Sequence, residues 1–300
     1  MSATTVPPAK DDRLTLISIS ALACILQDIL HEGLGHGVTA WLSGAHKLTI
    51  STVALESDNS TRWISANGTL VNLFFAIVFW LLLRKPDRYS PALRYFFVLA
   101  LAANLFTGTG YFFVSGVTNF GDWGAVIAGF QPHWLWQLGM VVIGTASYYA
   151  SVLLVRAKLL PFREFNPASR RIRGLCWIPY VTDGVLAGLS GLLNPFGLFY
   201  VFVSALPSTL GANAGFLVLP SMLRTRRTTQ MHQSEVNQAA SVVEVSPEEA
   251  RAGGPFAGAE PFADVAPVAP IRRSIAWIAT GAIASLLFIF VLGRGLTWSR

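Results

Sequence analysis

Charge is scarce in this 300-residue chain: Asp, Glu, Lys and Arg together make up 13%, about half the usual share of a soluble domain. Cysteine is scarcer still, with only Cys24 and Cys176, both inside apolar stretches. Two such residues exclude a disulfide scaffold and a four-cysteine zinc site. What abounds is apolar: 53% hydrophobic residues, with 20 Phe and nine Trp, and a mean hydropathy of +0.51. Neither a disordered chain nor an ordinary soluble domain has this composition, so the sequence reads as an integral membrane protein. The net charge of +6 does not imply a nucleic-acid partner. The basic residues flank apolar runs, where they act as topology signals beside lipid.

Seven apolar runs follow one another, at 14–43, 64–83, 91–115, 134–155, 176–193, 195–223 and 274–293. Each is near or above the ~17–20 residues that carry a helix across the hydrocarbon layer. The expected fold is therefore an all-α polytopic protein of about seven spans. With a cytoplasmic N-terminus, 18 of the 22 Lys and Arg fall on the cytoplasmic side and 4 on the other, which favours N-terminus in and C-terminus out. The first run is too long for a signal-peptide core and lacks an obvious cleavage site, so it reads as retained. A bacterial inner membrane or a plasma membrane is the expected location.

The chain divides into a cytoplasmic N-terminus (1–13), a membrane core (14–130), additional spans (131–223), a linker (224–273) and a C-terminal span (274–300). The linker is rich in Ala, Pro, Glu, Ser and Arg with few large apolar residues. Such a chain buries too little surface to offset its ordering entropy. It is expected to be disordered and cytoplasmic, with the last span following as a detached helix.

Charges inside the seven runs are Asp28, Glu32, Arg94 and Asp183. Arg94 lies near a run's start and can snorkel to the interface. The chemistry gathers in the first run, where Asp28, His31, Glu32 and His36 fall within nine residues. A charged side chain at mid-bilayer costs roughly 2.5–3.5 kcal/mol on insertion scales. These groups must pair, line a wet cavity or bind an ion; a packed polar network between helices is the plainer alternative. His31-Glu32-Gly33-Leu34-Gly35-His36 departs from the H-E-x-x-H zinc motif by one residue. Five positions apart, two side chains on an ideal helix diverge by about 140°, against about 40° at four. An i→i+5 turn recloses that angle, and Gly33 and Gly35 sit where the backbone must deform. The expectation is a first span that is not a regular α-helix between His31 and Gly37. A straight helix would instead align Asp28, Glu32 and His36.

With these residues the chain resembles the site-2 protease family of intramembrane zinc metalloproteases. Asn67-Gly68-Thr69-Leu70-Val71-Asn72 resembles that family's Gly-Pro-x-x-Asn element, with Thr69 in place of Pro. By this resemblance Asn72 faces the active site and holds a substrate strand or the oxyanion; the alternative is a packing face with Asn72 as an interhelical hydrogen-bonder. The family's third element supplies an Asp ligand from Leu-Asp-Gly, a string absent here. Asp122 follows the third run in the right order for a three-helix core. Asp183, in Thr182-Asp183-Gly184, has the Asp-Gly pair but arrives two spans late.

The resemblance, covering about residues 14–130, implies a Zn2+ site of His31, His36 and Asp122, with Asp183 as alternative ligand. Zinc lowers the pKa of the water it binds towards ~7, and Glu32 would serve as general base and acid. Asp28, one turn before His31, would accept the His31 ring N–H. The stretch Gly44–Ile50 reads as a short strand offering an edge to an extended substrate. His46 and His133 read as interfacial, and His232, in the linker, as solvated. The implied partners are membrane lipid and a transmembrane or membrane-proximal protein substrate. Two other classes stay open: a non-catalytic scaffold or pseudoprotease, and a metal or proton transporter.

Overall fold

The computed structural model describes residues 10–163, 171–223 and 267–299. Its long helices are α1 (Arg13–Leu42), α2 (Arg62–Leu82), α3 (Pro91–Thr118), α5 (His133–Phe162), α6 (Arg171–Gly191), α7 (Leu198–Met222) and α8 (Ile275–Leu292), with a short α4 (Gly121–Ile127) between α3 and α5. Six of these, α1, α2, α3, α5, α7 and α8, are long and apolar enough to cross a membrane. The fifth expected span corresponds to α6. It matches α2 in length, 21 residues each, but Arg171, Arg173 and Asp183 make it less apolar, and it does not join that set.

Local chemistry sets the helix starts. Asp12 caps α1 by accepting from Thr15 N at 2.9 Å, and its own carboxyl is held below its usual range by that bond. Thr61 caps α2, Ser90 with Pro91 at the first helical position caps α3, and Ser274 caps α8.

Three short strands, β1 (Lys47–Ile50), β2 (Leu55–Ser57) and β3 (Leu296–Ser299), form an antiparallel sheet in the order β2-β1-β3. Leu48 faces Ser57 on one side and Trp298 on the other. The 44–50 strand is therefore central, and the edge expected of it belongs to β2 and β3. β3 takes the second side of β1, which short-range sequence pattern does not indicate.

The helix ends sort into two levels. At one, Arg171 at the start of α6 pairs with Asp11 at 2.8 Å, and Arg156 reaches the Met222 carbonyl at 3.0 Å. At the other, the Thr52 hydroxyl beyond β1 donates to Ser190 Oγ near the end of α6 at 3.0 Å. The main hydrophobic core sits towards the first level, with Tyr95, Leu99, Phe106, Leu159, Phe162 and Leu219 fully buried or nearly so.

Of the expected linker, residues 224–266 lie outside the described residues, as do 1–9 of the N-terminal segment. Residues 267–273 are packed, contrary to that expectation. Ile271 is buried, its N–H donates to Asp11 Oδ1 at 2.7 Å, and the Val268 N–H donates to the Pro161 carbonyl. Nor is α8 detached. Gly281 lies so close to α1 that a Cβ there would sit 2.6 Å from Ser18 Cβ; the small residue admits the contact, as at helix crossings in lipid.

Candidate metal centre

Within α1, residues Ile29–Gly37 are π-helical and continue into regular helix at Val38. The i+5 spacing therefore places both imidazoles on one face, as the motif argument expects. Their ring centroids are 4.7 Å apart and mutually perpendicular, and the two Nε2 atoms are separated by 3.2 Å.

α2 makes room for them with glycine. A Cβ on Gly35 would come within 2.5 Å of Gly68 Cα, so the α1 and α2 backbones touch there. A Cβ on Gly68 would collide with His36 Nε2 and His31 Cε1. Gly33 has no such constraint, its Cβ position meeting only Ile29 at 3.8 Å.

The third donor comes from the turn after α3. Asn119 ends that helix in the left-handed region at φ 54, and Gly121 follows at φ +78, where glycine carries no steric cost. The chain doubles back, and Asp122 opens α4. Asp122 Oδ2 lies 3.2 Å from His31 Nε2 and 3.3 Å from His36 Nε2.

The far side of each ring is tied down. His36 Nδ1 donates to the Ile64 carbonyl at 2.6 Å, which fixes the proton on Nδ1. His31 Nδ1 lies 2.6 Å from Asn72 Oδ1. Asn72 Nδ2 donates to the Gln27 carbonyl at 3.2 Å and to Asn104 Oδ1 at 2.8 Å, and Asn104 Nδ2 donates to the Ala100 carbonyl at 2.8 Å. This chain orients each amide, so His31 also carries its proton on Nδ1. Both histidines then present Nε2 lone pairs to one another and to a carboxylate oxygen. Asn72, Asn104, His31 and His36 are all buried.

Asn72 is thus the His31 partner, the place assigned above to Asp28. With its amide committed to His31, Gln27 and Asn104, Asn72 keeps no donor for a substrate oxyanion. Asp28 lines a small cavity of about 20 Å3 with His31, Glu32, Cys24, Thr107 and Asp183. Asp183 accepts from Asn213 Nδ2 at 2.6 Å and stands apart from the His31–His36–Asp122 cluster. His46, exposed, donates its backbone N–H to Asp58 at 3.0 Å, and His133 pairs with Asn119 Oδ1 at 2.9 Å. Asn104, the Ile64 carbonyl and Tyr111, whose ring is 4.9 Å from His31, did not emerge from sequence. Asn104 had one signal, an amide amid the apolar residues of α3.

A cavity of about 480 Å3 opens beside the cluster, lined by Glu32, His36, Asp122, Tyr111, the β2 strand and Ser204 of α7. Glu32 is 7% exposed, and its Oε2 has no hydrogen-bond partner among the described residues, nor has Asp122 Oδ2. Buried polar atoms without partners are uncommon.

The donor set fits a metal. Four ligands held tetrahedrally at ~2.0–2.1 Å stand ~3.3–3.4 Å from one another, and the three distances here are 3.2, 3.2 and 3.3 Å. Two neutral imidazoles and one carboxylate suit zinc, and three protein ligands leave a position open, as in catalytic sites. Comparison with protein-family models, curated proteins and solved structures returns no match, so the site is read from its own geometry.

Proposed function

We propose that this chain is a membrane-embedded zinc metallopeptidase of the site-2 protease type, hydrolysing peptide bonds of a membrane protein in or near the bilayer. One observation carries the reading. Two Nε2 lone pairs and a carboxylate oxygen converge within 3.3 Å, with each ring's other nitrogen already committed. Three acceptors facing one another in a buried site repel unless a cation lies among them.

His31, His36 and Asp122 would hold the zinc, which when bound supplies Lewis-acid activation of water. Glu32 would be the proton carrier, accepting from the attacking water and donating to the leaving amine; its unpartnered carboxylate in the cavity suits that role. Asn72 and the Ile64 carbonyl hold the rings in place. The β2 strand lines the cavity with Leu55, Glu56 and Ser57 and has one side unpaired in the sheet. An extended substrate adding there would be held by main-chain hydrogen bonds next to Glu32.

The membrane arrangement proposed with it is seven crossings, N-terminus cytoplasmic and C-terminus external. It is supported by the contacts at the two ends of α6, with Asp11 and with Thr52, and by the distribution of Lys and Arg.

Glu32→Gln tests the reading. The detergent-purified variant should keep about one zinc per chain, like the wild type, and lose cleavage of a membrane-protein substrate by at least ~100-fold. His36→Ala should lose the zinc. Wild-type protein without stoichiometric zinc overturns the site, and cleavage unaffected by Glu32→Gln overturns the catalytic role. Metal flux in proteoliposomes with no proteolysis would point to a transporter instead.

A further inference from the structure

At the level of the basic helix ends, far from the metal cluster, α2 and α5 both pack on α3 and leave a cleft between their termini. It measures about 470 Å3 and is lined by Trp80, Arg84, Arg94, Ala157, Lys158 and Pro161. Three of these side chains are cationic and none is acidic.

Each cation is held in place by the fold. Lys158 is half-buried and its Nζ donates to the Leu83 carbonyl at 3.4 Å, the helix-end carbonyl it caps. Arg94 has a side chain 13% exposed, its guanidinium set over the Phe162 ring at 5.6 Å. Arg84 lies over Trp80 at 5.8 Å. The nearest carboxylate, Asp87, is 3.9 Å from Arg94 and fully in solvent, at 97% exposure. Three positive charges face one cleft with a single loose counter-charge.

We infer that this cleft is a binding site for a phosphate group, and that the group is the headgroup phosphate of an anionic phospholipid. The chemistry matches on both counts. Arginine's planar fork and the lysine ammonium are the usual phosphate partners. The cleft lies where apolar helices end, α2 at Leu82 and α5 at Phe162, which is the depth of lipid headgroups. Trp80 adds the amphipathic ring favoured at that interface. Outward-facing Leu81, beside Trp80, and Leu153, just over one turn before Lys158, are 47% and 40% exposed and present an apolar surface for acyl chains. Basic pockets between helix ends recognise lipid headgroups in this way.

The test is retention of lipid by the full chain. Protein in neutral detergent is mixed with phosphatidylglycerol, phosphatidylcholine or glycerol phosphate, then examined by native mass spectrometry and thermal unfolding. Phosphatidylglycerol should remain bound and raise the unfolding temperature, and phosphatidylcholine should do neither. Arg84→Gln and Lys158→Gln should each weaken retention by about fivefold, the double variant by their product. Lys158→Arg should restore it. Arg88→Gln removes an exposed charge outside the cleft and should change nothing. Equal stabilisation by glycerol phosphate would keep the phosphate site and overturn the lipid as its source. Equal losses from Arg88→Gln, or no preference between the two lipids, would overturn the site altogether. None of these readouts depends on the metal centre or on proteolysis.

Discussion

Asn72 Oδ1 accepts the Nδ1 proton of His31 at 2.6 Å, and that bond decides which nitrogen of the ring faces Asp122. Replacing Asn72 with Ala should lower zinc affinity by about 10- to 100-fold, the usual cost of losing a ligand's orienting partner. Asn72→Asp, which keeps an acceptor, should recover much of it. Titration against a chromophoric chelator reads both. Unchanged affinity in Asn72→Ala would mean that His31 is oriented by something else.

The glycines of the π segment should not be equivalent. Gly35→Ala drives a methyl into Gly68 Cα, an overpacking that costs about 1–3 kcal/mol. Gly33→Ala meets only ordinary contact with Ile29 and should be neutral, or stabilising by up to about 1 kcal/mol. Thermal unfolding of the two variants separates them. Equal effects would contradict the close approach of α1 and α2.

Deletion of Gly33 leaves His31-Glu32-Leu34-Gly35-His36, with the histidines four positions apart. An ordinary α-helix then brings them to one face, and the segment beyond Val38 keeps its place because a π turn differs from an α turn by one inserted residue. The deletion variant should fold and bind zinc near stoichiometry. Loss of zinc together with an intact fold would show that the π geometry itself is required.

Asp11 joins three parts of the chain. It pairs with Arg171 at 2.8 Å and accepts the Ile271 N–H, and both members of the pair are buried, at 5% and 8% side-chain exposure. Asp11→Ala should destabilise the protein by about 3 kcal/mol, as breaking a buried pair does, and make residues 267–273 more open to proteolysis. A change below about 0.5 kcal/mol would place this pair with ordinary surface ion pairs.

How much of this was legible beforehand depended on range. The distortion of α1 could be read from seven consecutive residues, because the i+5 histidines and flanking glycines are a local pattern with a local geometric remedy. Asp122 was reachable through its isolation, the lone Asp, Glu, Lys or Arg between Arg94 and Arg156. The Asn72–Asn104 relay was not, since it depends on the rotation of α2 against α3, which apolar periodicity leaves undetermined. Asp28 was misplaced for the same reason: one helical turn from His31 and lining the same small cavity, it leaves the ring nitrogen to Asn72 on the neighbouring helix. The packed tail at 267–273 was obscured by composition, because Pro and Ala on either side give the two apolar anchors Val268 and Ile271 no helical or strand periodicity.

The pairing of β1 with β3 gives the wall beside the metal centre a history in time. Thr49 and Thr297 meet hydroxyl to hydroxyl at 3.0 Å across 248 positions of chain. At ~5–20 residues per second, synthesis delivers β3 to β1 only after roughly 12–50 s. Throughout that interval β1 has one side open, and the helices carrying His31, His36 and Asp122 are all made before it ends. A ribosome that stalls between α4 and β3 leaves a chain that holds His31, His36 and Asp122 but has an incomplete sheet, so the finished wall is a record of translation carried through to β3.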